Sequence, residues 1–226
     1  LMKKIISFSL WGDIPKYTEG AVRNAELALE VYPDWICRYY IGKNTPLEII
    51  GRLVEFDNTE IYIMNEPGDW TGMFWRFYPA SDLDVDVMIS RDVDSRLTLR
   101  EKFAVDEWLE SDKDFHIMRD NLYHNMAILG GMWGVRNLVL LDMMNHIRAY
   151  PSENFWQTDQ RFLRDVIYDK IKNTAFVHDE FFDETFGGVP VHPFNSERDP
   201  NHFVGQAYDG DDKIVDPENY GTELFI

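Results

Sequence analysis

The chain has 226 residues, of which 45% are hydrophobic and 15% aromatic, a composition that suits one compact globular domain and excludes an intrinsically disordered chain. Its 22 basic and 40 acidic residues give a formal net charge of −18, so neither nucleic acid nor an anionic membrane surface is an expected partner. Cys37 is the single cysteine and no run approaches the roughly 20 apolar residues of a membrane span, so we expect a cytoplasmic protein without disulfides.

The first half of the chain alternates strand and helix signals. Thr18 is expected to cap a helix that ends near Pro33, and Thr45 is expected to open a capping box for a helix that runs through Leu53. A short helix is predicted over residues 71–80. Apolar runs between turn signals predict four strands, over residues 3–10, 35–42, 60–64 and 85–90.

The second half opens on another capping box, Thr98 to Glu101, which predicts a helix with Phe103, Ala104 and Trp108 facing inward. About the last 50 residues, rich in Pro, Gly, Asp and His, are expected to wrap as loops around a site. The alternation indicates an α/β fold, with a mostly parallel sheet covered by helices on both faces. Further strands are predicted over residues 115–120 and 128–135, and further helices over 138–148 and 159–171.

The segment ISRDVDSR, residues 89–96, lies where a buried strand meets a turn. Asp92 and Asp94 are two residues apart, so in extended backbone both carboxylates face the same side. Two such carboxylates repel each other unless a cation lies between them, and hard oxygen ligands favour Mg²⁺ or Mn²⁺. The flanking Arg91 and Arg96 can pair with the carboxylates, or orient them and contact phosphate.

Two other aspartates provide an internal comparison for this pair. Asp84 and Asp86 have the same spacing but precede the strand rather than follow it. Because ligands of parallel sheets bind outside the carboxyl ends of the strands, the pair Asp92 and Asp94 is the one predicted to be functional.

The order of strand, loop, helix, strand and D-x-D resembles the nucleotide-sugar glycosyltransferases of the GT-A fold. Within that group the chain resembles the retaining family-eight enzymes, and small glycosyltransferase domains of chlorella viruses and related bacterial proteins, over roughly residues 3–180. The resemblance implies a single Rossmann-like GT-A domain over residues 1–226, in the host cytoplasm if the protein is viral. Its nucleotide-binding half would be residues 2–96, ending in the D-x-D, and residues 97–226 would form the acceptor half with the C-terminal loops.

The resemblance also implies roles for particular residues. Arg76, which stands 16 residues before Asp92, would contact the donor sugar. The pair Asp159 and Gln160 would lie beneath that sugar as catalytic residues, and Gly130 and Gly131 would line the acceptor side. The substrate-binding set would be completed by Arg91 and Asp92, and by residues expected to hold the nucleobase and ribose, namely Ser9, Leu10, Trp11 and Tyr17.

In the family, a late histidine completes the metal site formed by the D-x-D aspartates. His178 is the first candidate here because it follows a short apolar strand, with His192 and His202 as alternatives. His116, in the middle of a predicted strand, is expected to be a core residue. Structural readings stay open for three other elements: Arg76 stacking on aromatic rings, Asp159 as a helix N-terminal acid, and the two glycines as a bulge.

We therefore expect a Mn²⁺- or Mg²⁺-dependent retaining hexosyltransferase that moves glucose, galactose or rhamnose from a UDP-sugar to a glycan acceptor. An inverting reaction would need a carboxylate base, for which Asp120 and Asp179 are candidates. The alternatives are a sugar-phosphate nucleotidyltransferase, a metal-independent glycoside hydrolase, and a non-enzymatic carbohydrate- or metal-binding module.

Overall fold

A mixed sheet runs through the centre of the computed structural model, which describes residues 2–183 and 185–219. In the described chain the sheet has seven strands in the order β3-β2-β1-β4-β6-β5-β7. Only β6 runs antiparallel to its neighbours there. The strands are β1 Lys4–Leu10, β2 Ile36–Ile41, β3 Thr59–Ile63, β4 Val87–Ser90, β5 Phe115–Arg119, β6 Trp133–Arg136 and β7 Ala175–Asp179.

The helices lie between these strands. The region predicted as one helix over residues 159–171 is helical but contains a π-helical segment, Leu163–Ile167, between α5 and α6. The helix predicted over residues 71–80 is a 3₁₀ helix, Trp70–Ser81. The α-helices are α1 Pro15–Val31, α2 Leu47–Val54, α3 Leu99–Glu110, α4 Met143–Ala149, α5 Thr158–Phe162 and α6 Tyr168–Ile171.

Each face of the sheet buries its own apolar layer, because successive strand residues point to opposite faces. Ile6, Phe8 and Leu10 of β1 pack with residues of α1 and α2 on one face. Ile5, on the other face, belongs to a layer that includes Phe77 and residues of α5 and α6. The expected mostly parallel sheet, covered by helices on both faces, is confirmed.

The helix starts depend on local sequence to different degrees. Thr98 and Glu101 form the predicted reciprocal capping box at the start of α3. The caps predicted at Thr18 and Thr45 are wrong: α1 begins at Pro15, whose fixed φ suits the first helical position, and α2 follows Pro46 without a side-chain cap.

Three further predictions, one about orientation and two about element length, are corrected. Phe103 is 45% exposed, whereas Ala104, Val105 and Trp108 are buried. The strand predicted over residues 128–135 is shorter, because residues 130 and 131 form a turn before β6 begins at Trp133. The helix predicted over residues 138–148 begins later, at Met143.

The domain expected over residues 1–226 includes residues 1, 184 and 220–226, which lie outside the described part. Within the described part, none of the helices combines the length and apolar character needed to cross a membrane.

Candidate active site

The turn that carries Asp92 and Asp94 follows β4 at the carboxyl edge of the sheet and is held by α1. Asn24, fully buried on α1, donates to the carbonyls of Val93 and Ser95, at 3.2 and 2.8 Å. Its Oδ1 accepts from Leu97 N at 3.1 Å. These three hydrogen bonds determine the path of the turn, and Asn24 was not identified from the sequence. Its signal was a polar residue inside the apolar stripe of a helix.

Arg76 connects two carboxylates from distant parts of the chain. Its Nη1 donates to Asp92 Oδ1, and its Nη2 donates to Asp159 Oδ2 at 2.7 Å. The Arg76 side chain is 4% exposed and that of Asp159 is completely buried. Ser9 Oγ accepts from Arg76 N at 3.0 Å, which ties the 3₁₀ helix to the end of β1. The structure therefore brings Arg76, Asp92 and Asp159 together, three residues that the resemblance assigned to one site.

The predicted glycine pair lies directly under these carboxylates. A Cβ atom on Gly131 would clash with the Asp92 carboxylate, and one on Gly130 would clash with Asp159 and Arg76. Gly130 N also donates to Gln160 Oε1 at 3.3 Å. Because β6 runs antiparallel, its amino end lies at the edge where the parallel strands end, and this places the glycines at the site.

Burial and charge set the protonation behaviour of the site. Burial, and then repulsion from Asp92, raises the pKa of Asp94, while the Lys16 ammonium at 3.2 Å opposes this shift. Burial also raises the pKa of Asp159, although Arg76 opposes it. Burial alone would lower the pKa of Arg76, but Asp92 and Asp159 raise it, so the guanidinium stays protonated. The position of Lys16 beside the D-x-D had no signal in the sequence.

The donor set suits a hard divalent cation held by few protein ligands. Asp92 and Asp94 offer carboxylate oxygens close enough to repel each other, as the pKa of Asp94 indicates. No group of three or more His, Cys, Asp or Glu residues in the described chain is arranged to hold a metal ion. Mg²⁺ sites formed by one or two carboxylates and substrate phosphates need no such group. The residues therefore fit a cation that is completed by a bound diphosphate.

The residues predicted for the nucleobase and ribose have different surroundings. Trp11 is partly buried and packs edge-on against Trp70 and Trp75, with ring centroids 6.0 and 6.2 Å apart. Tyr17 is partly buried, with the Lys16 ammonium 5.5 Å from its ring centroid. Leu10 is buried in the core, and its carbonyl accepts from Gly42 N at 2.8 Å.

The arginines that flank the aspartates are structural. Arg91 is buried and pairs with Glu101, so the expected phosphate contact does not fit its position. Arg96 pairs with Asp212 at 2.7 Å. In the same C-terminal loop, Tyr208 N donates to Asp94 O at 2.8 Å. The C-terminal loops therefore wrap against the turn, as expected.

The predicted metal histidine lies elsewhere. His178 is completely buried in β7, with Nδ1 2.8 Å from His116 Nε2 and Nε2 3.2 Å from Glu107. Burial lowers the pKa of both histidines. This geometry does not fit a ligand beside Asp92 and Asp94, because β7 is at the far edge of the sheet. Of the alternatives, His192 pairs with His178 in a β-bridge, and His202 contacts Asp199 at 2.8 Å.

No family model and no curated protein matches the sequence. Solved structures do match. TarS 1-349 of S. aureus has 10% identity and a TM-score of 0.53, covering 78% of this chain and 58% of that one. The mannosyltransferase PcManGT of Pyrobaculum calidifontis, in complex with GDP-Man and Mn²⁺, has 11% identity and a TM-score of 0.54, covering 84% and 56%.

A third match is glucosyl-3-phosphoglycerate synthase of Mycobacterium tuberculosis, with 9% identity and a TM-score of 0.51, covering 78% of this chain and 69% of that one. The chain has the GT-A fold. At these identities the likeness shows the fold alone. The chain spans a little over half the length of the first two structures, at 58% and 56%.

Proposed function

We propose that this protein is a metal-dependent glycosyltransferase that uses a nucleotide-sugar donor, with a UDP-hexose as the first candidate. The observation that carries the proposal is the bridge from Asp92 through the buried Arg76 to the buried Asp159, lying against the bare backbone of Gly130 and Gly131 at the carboxyl edge of a GT-A sheet. Such bare backbone allows a sugar ring to approach closely. Among the matched structures, PcManGT is in complex with GDP-Man and Mn²⁺, and TarS 1-349 also has a structure in complex with UDP. A third is a glucosyl-3-phosphoglycerate synthase. These matches support a nucleotide sugar as the donor.

In this proposal, each side chain has a physical role. Asp92 and Asp94 would hold Mn²⁺ or Mg²⁺, which would neutralise the charge that develops on the leaving diphosphate. Arg76 Nε and Asp159 Oδ1 are buried without a hydrogen-bond partner among the described residues, and would be available to sugar hydroxyls. Arg76 would also keep Asp159 ionised against its burial, because a nearby positive charge favours the carboxylate.

Within this proposal, a retaining reaction is better supported than an inverting one. The two carboxylates considered as bases for an inverting reaction are both engaged. Asp120 accepts from Arg100 at 3.0 Å and from Arg198 at 2.6 Å. Asp179 accepts from Arg119 at 2.5 Å and is buried. Because their oxygens already accept hydrogen bonds from arginine, neither carboxylate is free to act as the base of an inverting reaction.

The test is nucleotide release from a panel of UDP- and GDP-sugars, with Mn²⁺, with Mg²⁺ and with EDTA. We expect release with at least one donor only when a divalent cation is present, and a large loss in Asp92→Asn and Asp94→Asn. Asp84→Asn is the matched control, since Asp84 is exposed; Asp86 is less suitable because it accepts from Lys3 N at 2.6 Å.

The same panel separates the alternatives. A nucleotidyltransferase would release pyrophosphate from a nucleoside triphosphate and a sugar phosphate. A binding module would show sugar or Ca²⁺ affinity with no turnover, and a hydrolase would keep its activity in EDTA. Nucleotide release that is equal in EDTA and in Mn²⁺ would contradict the proposed metal role.

A further inference from the structure

A cleft outside the carboxylate site opens beside the 3₁₀ helix. Its volume is about 440 Å³, within the range of about 300–1,000 Å³ that is typical of small-molecule sites. It combines aromatic rings with two acidic side chains. We call it the Trp75 cleft, and its lining includes Glu66, Asp69, Thr71, Phe74, Trp75 and Tyr78.

The 3₁₀ geometry explains why one helix serves two sites. With three residues per turn, residues i and i+3 share a face. Trp75 and Tyr78 therefore lie on one face, and Thr71 and Phe74 on the next; both pairs line the cleft. Arg76 lies on the third face and points to Asp92 and Asp159. The helix therefore separates the Trp75 cleft from the carboxylate site, while adjacent residues of the helix contact each.

Hydrogen bonds and ring packing hold the walls of the Trp75 cleft in place. Asp69 Oδ1 accepts from the backbone N and the hydroxyl of Thr71, at 2.8 and 2.6 Å. Trp70 N donates to Asn154 Oδ1 at 3.0 Å, which ties the segment after α4 to the start of the 3₁₀ helix. Trp75 packs edge-on against Trp11. A preorganised wall reduces the entropy lost on binding.

The chemistry of the Trp75 cleft favours an uncharged sugar. Aromatic side chains provide apolar surface for the C–H face of a pyranose, and carboxylates accept hydrogen bonds from its hydroxyl groups. Burial, followed by the charge of Glu66, raises the pKa of Tyr78, so its hydroxyl stays protonated and able to donate. Glu66 and Asp69, in a chain of net charge −18, disfavour a phosphate or an acidic sugar here.

We propose that the Trp75 cleft binds a neutral pyranose residue of the glycan acceptor. The identification of that sugar as part of an acceptor rests on the proposed function, whereas its binding does not. An acceptor held here would be located by the same helix that holds Arg76 against the carboxylates.

The test is saturation-transfer NMR on the full chain without a donor, using methyl α- and β-pyranosides of glucose, galactose, mannose and rhamnose. We expect at least one to receive saturation, with the signal abolished in Tyr78→Ala and the affinity about tenfold lower in Glu66→Gln, the effect of one lost charge-assisted hydrogen bond. The controls are Glu30→Gln, at an exposed glutamate on α1, and Asp94→Asn; both should bind as the wild type does.

Several results of this experiment would overturn the proposed sugar site. Absence of saturation for all eight sugars overturns the proposal, as does binding that is unchanged in both cleft variants, or binding lost in Asp94→Asn alone. If Tyr78→Ala does not fold, Glu66→Gln decides, because Glu66 is exposed and its replacement keeps the shape. Calorimetric titration of UDP with Mn²⁺ into the same samples tests the proposed function separately. Sugar binding without UDP binding would support a sugar site in the cleft and contradict only the assignment of that sugar to a glycosyl acceptor.

Discussion

Removal of the Arg76 guanidinium should destabilise the fold through Asp159. In Arg76→Ala the Asp159 carboxylate, completely buried, loses a partner at 2.7 Å, and Asp92 loses its own contact. Removal of one partner of a buried ion pair typically costs about 3–5 kcal/mol. In a chain of this size each kcal/mol lowers the melting temperature by about 2–4 °C, so we expect a fall of about 6–20 °C.

The assay is urea unfolding together with a melting curve, with two comparison variants. Arg76→Ala/Asp159→Asn should recover a large part of the loss, since a neutral amide is cheaper to bury than an unpaired charge. Arg52→Ala is the matched control: its pair with Glu19 is similarly close, at 2.8 Å, but both side chains are 39% exposed. An exposed pair is worth about 0–1 kcal/mol, so this variant should change little.

The deficit of Arg76→Ala should depend on pH in a stated direction. Burial already raises the pKa of Asp159, and loss of Arg76 removes an opposing influence. When the pKa of a carboxyl group is higher in the folded state than in the unfolded state, its ionisation destabilises the fold. This cost is complete above the folded-state pKa and disappears below the unfolded-state pKa, which is about 3.9 for aspartate. The deficit should therefore shrink as the pH falls from 7 towards 4. A loss no larger than that of Arg52→Ala, or a double variant no more stable than Arg76→Ala, would refute this reasoning.

Three further variants test the carboxylate site. Gly131→Ala should displace the neighbouring carboxylate and abolish Mn²⁺-dependent UDP binding in calorimetry with the fold retained, whereas Gly51→Ala, with open space at its Cβ, should bind normally and gain up to about 1 kcal/mol of stability. Asn24→Ala should lower the free energy of unfolding by about 2–4 kcal/mol in urea, because it leaves buried backbone groups unpaired; a loss below about 1 kcal/mol would contradict its role in the turn. Asp94→Asn should raise the melting temperature of the metal-free protein at pH 7, since the raised pKa of Asp94 marks its ionised form as unfavourable. That gain should vanish near pH 4, and Asp84→Asn should show no gain at either pH.

Local patterns predicted much of the architecture. The apolar runs predicted β1 to β5 and β7 close to their observed positions. At the start of α3, Thr98 and Glu101 form the predicted capping box. These signals are reliable because a cap or a strand period involves residues a few positions apart. Where a proline and a threonine both suited a helix start, as at Pro15 and Thr18, the local pattern did not separate them.

The pairing of distant residues was predicted only where family resemblance supplied it. The resemblance placed Arg76, Asp159 and the two glycines in one site, and the structure brings them together. For His178 the same resemblance was misleading. Its apolar strand was predicted correctly, but the strand occupies the far edge of the sheet and the side chain faces His116.

The sequence by itself determined which segments are strands and helices, and which aspartate pair follows a buried strand. Strand order, the antiparallel direction of β6 and the packing of α1 on the turn were decided by the tertiary structure. A side-chain period states which residues share a face, but not which strand lies beside them. The site depends on that second kind of information. Gly131 contacts Asp92 because β6 enters the sheet reversed, and Asn24 holds the turn because α1 packs across it.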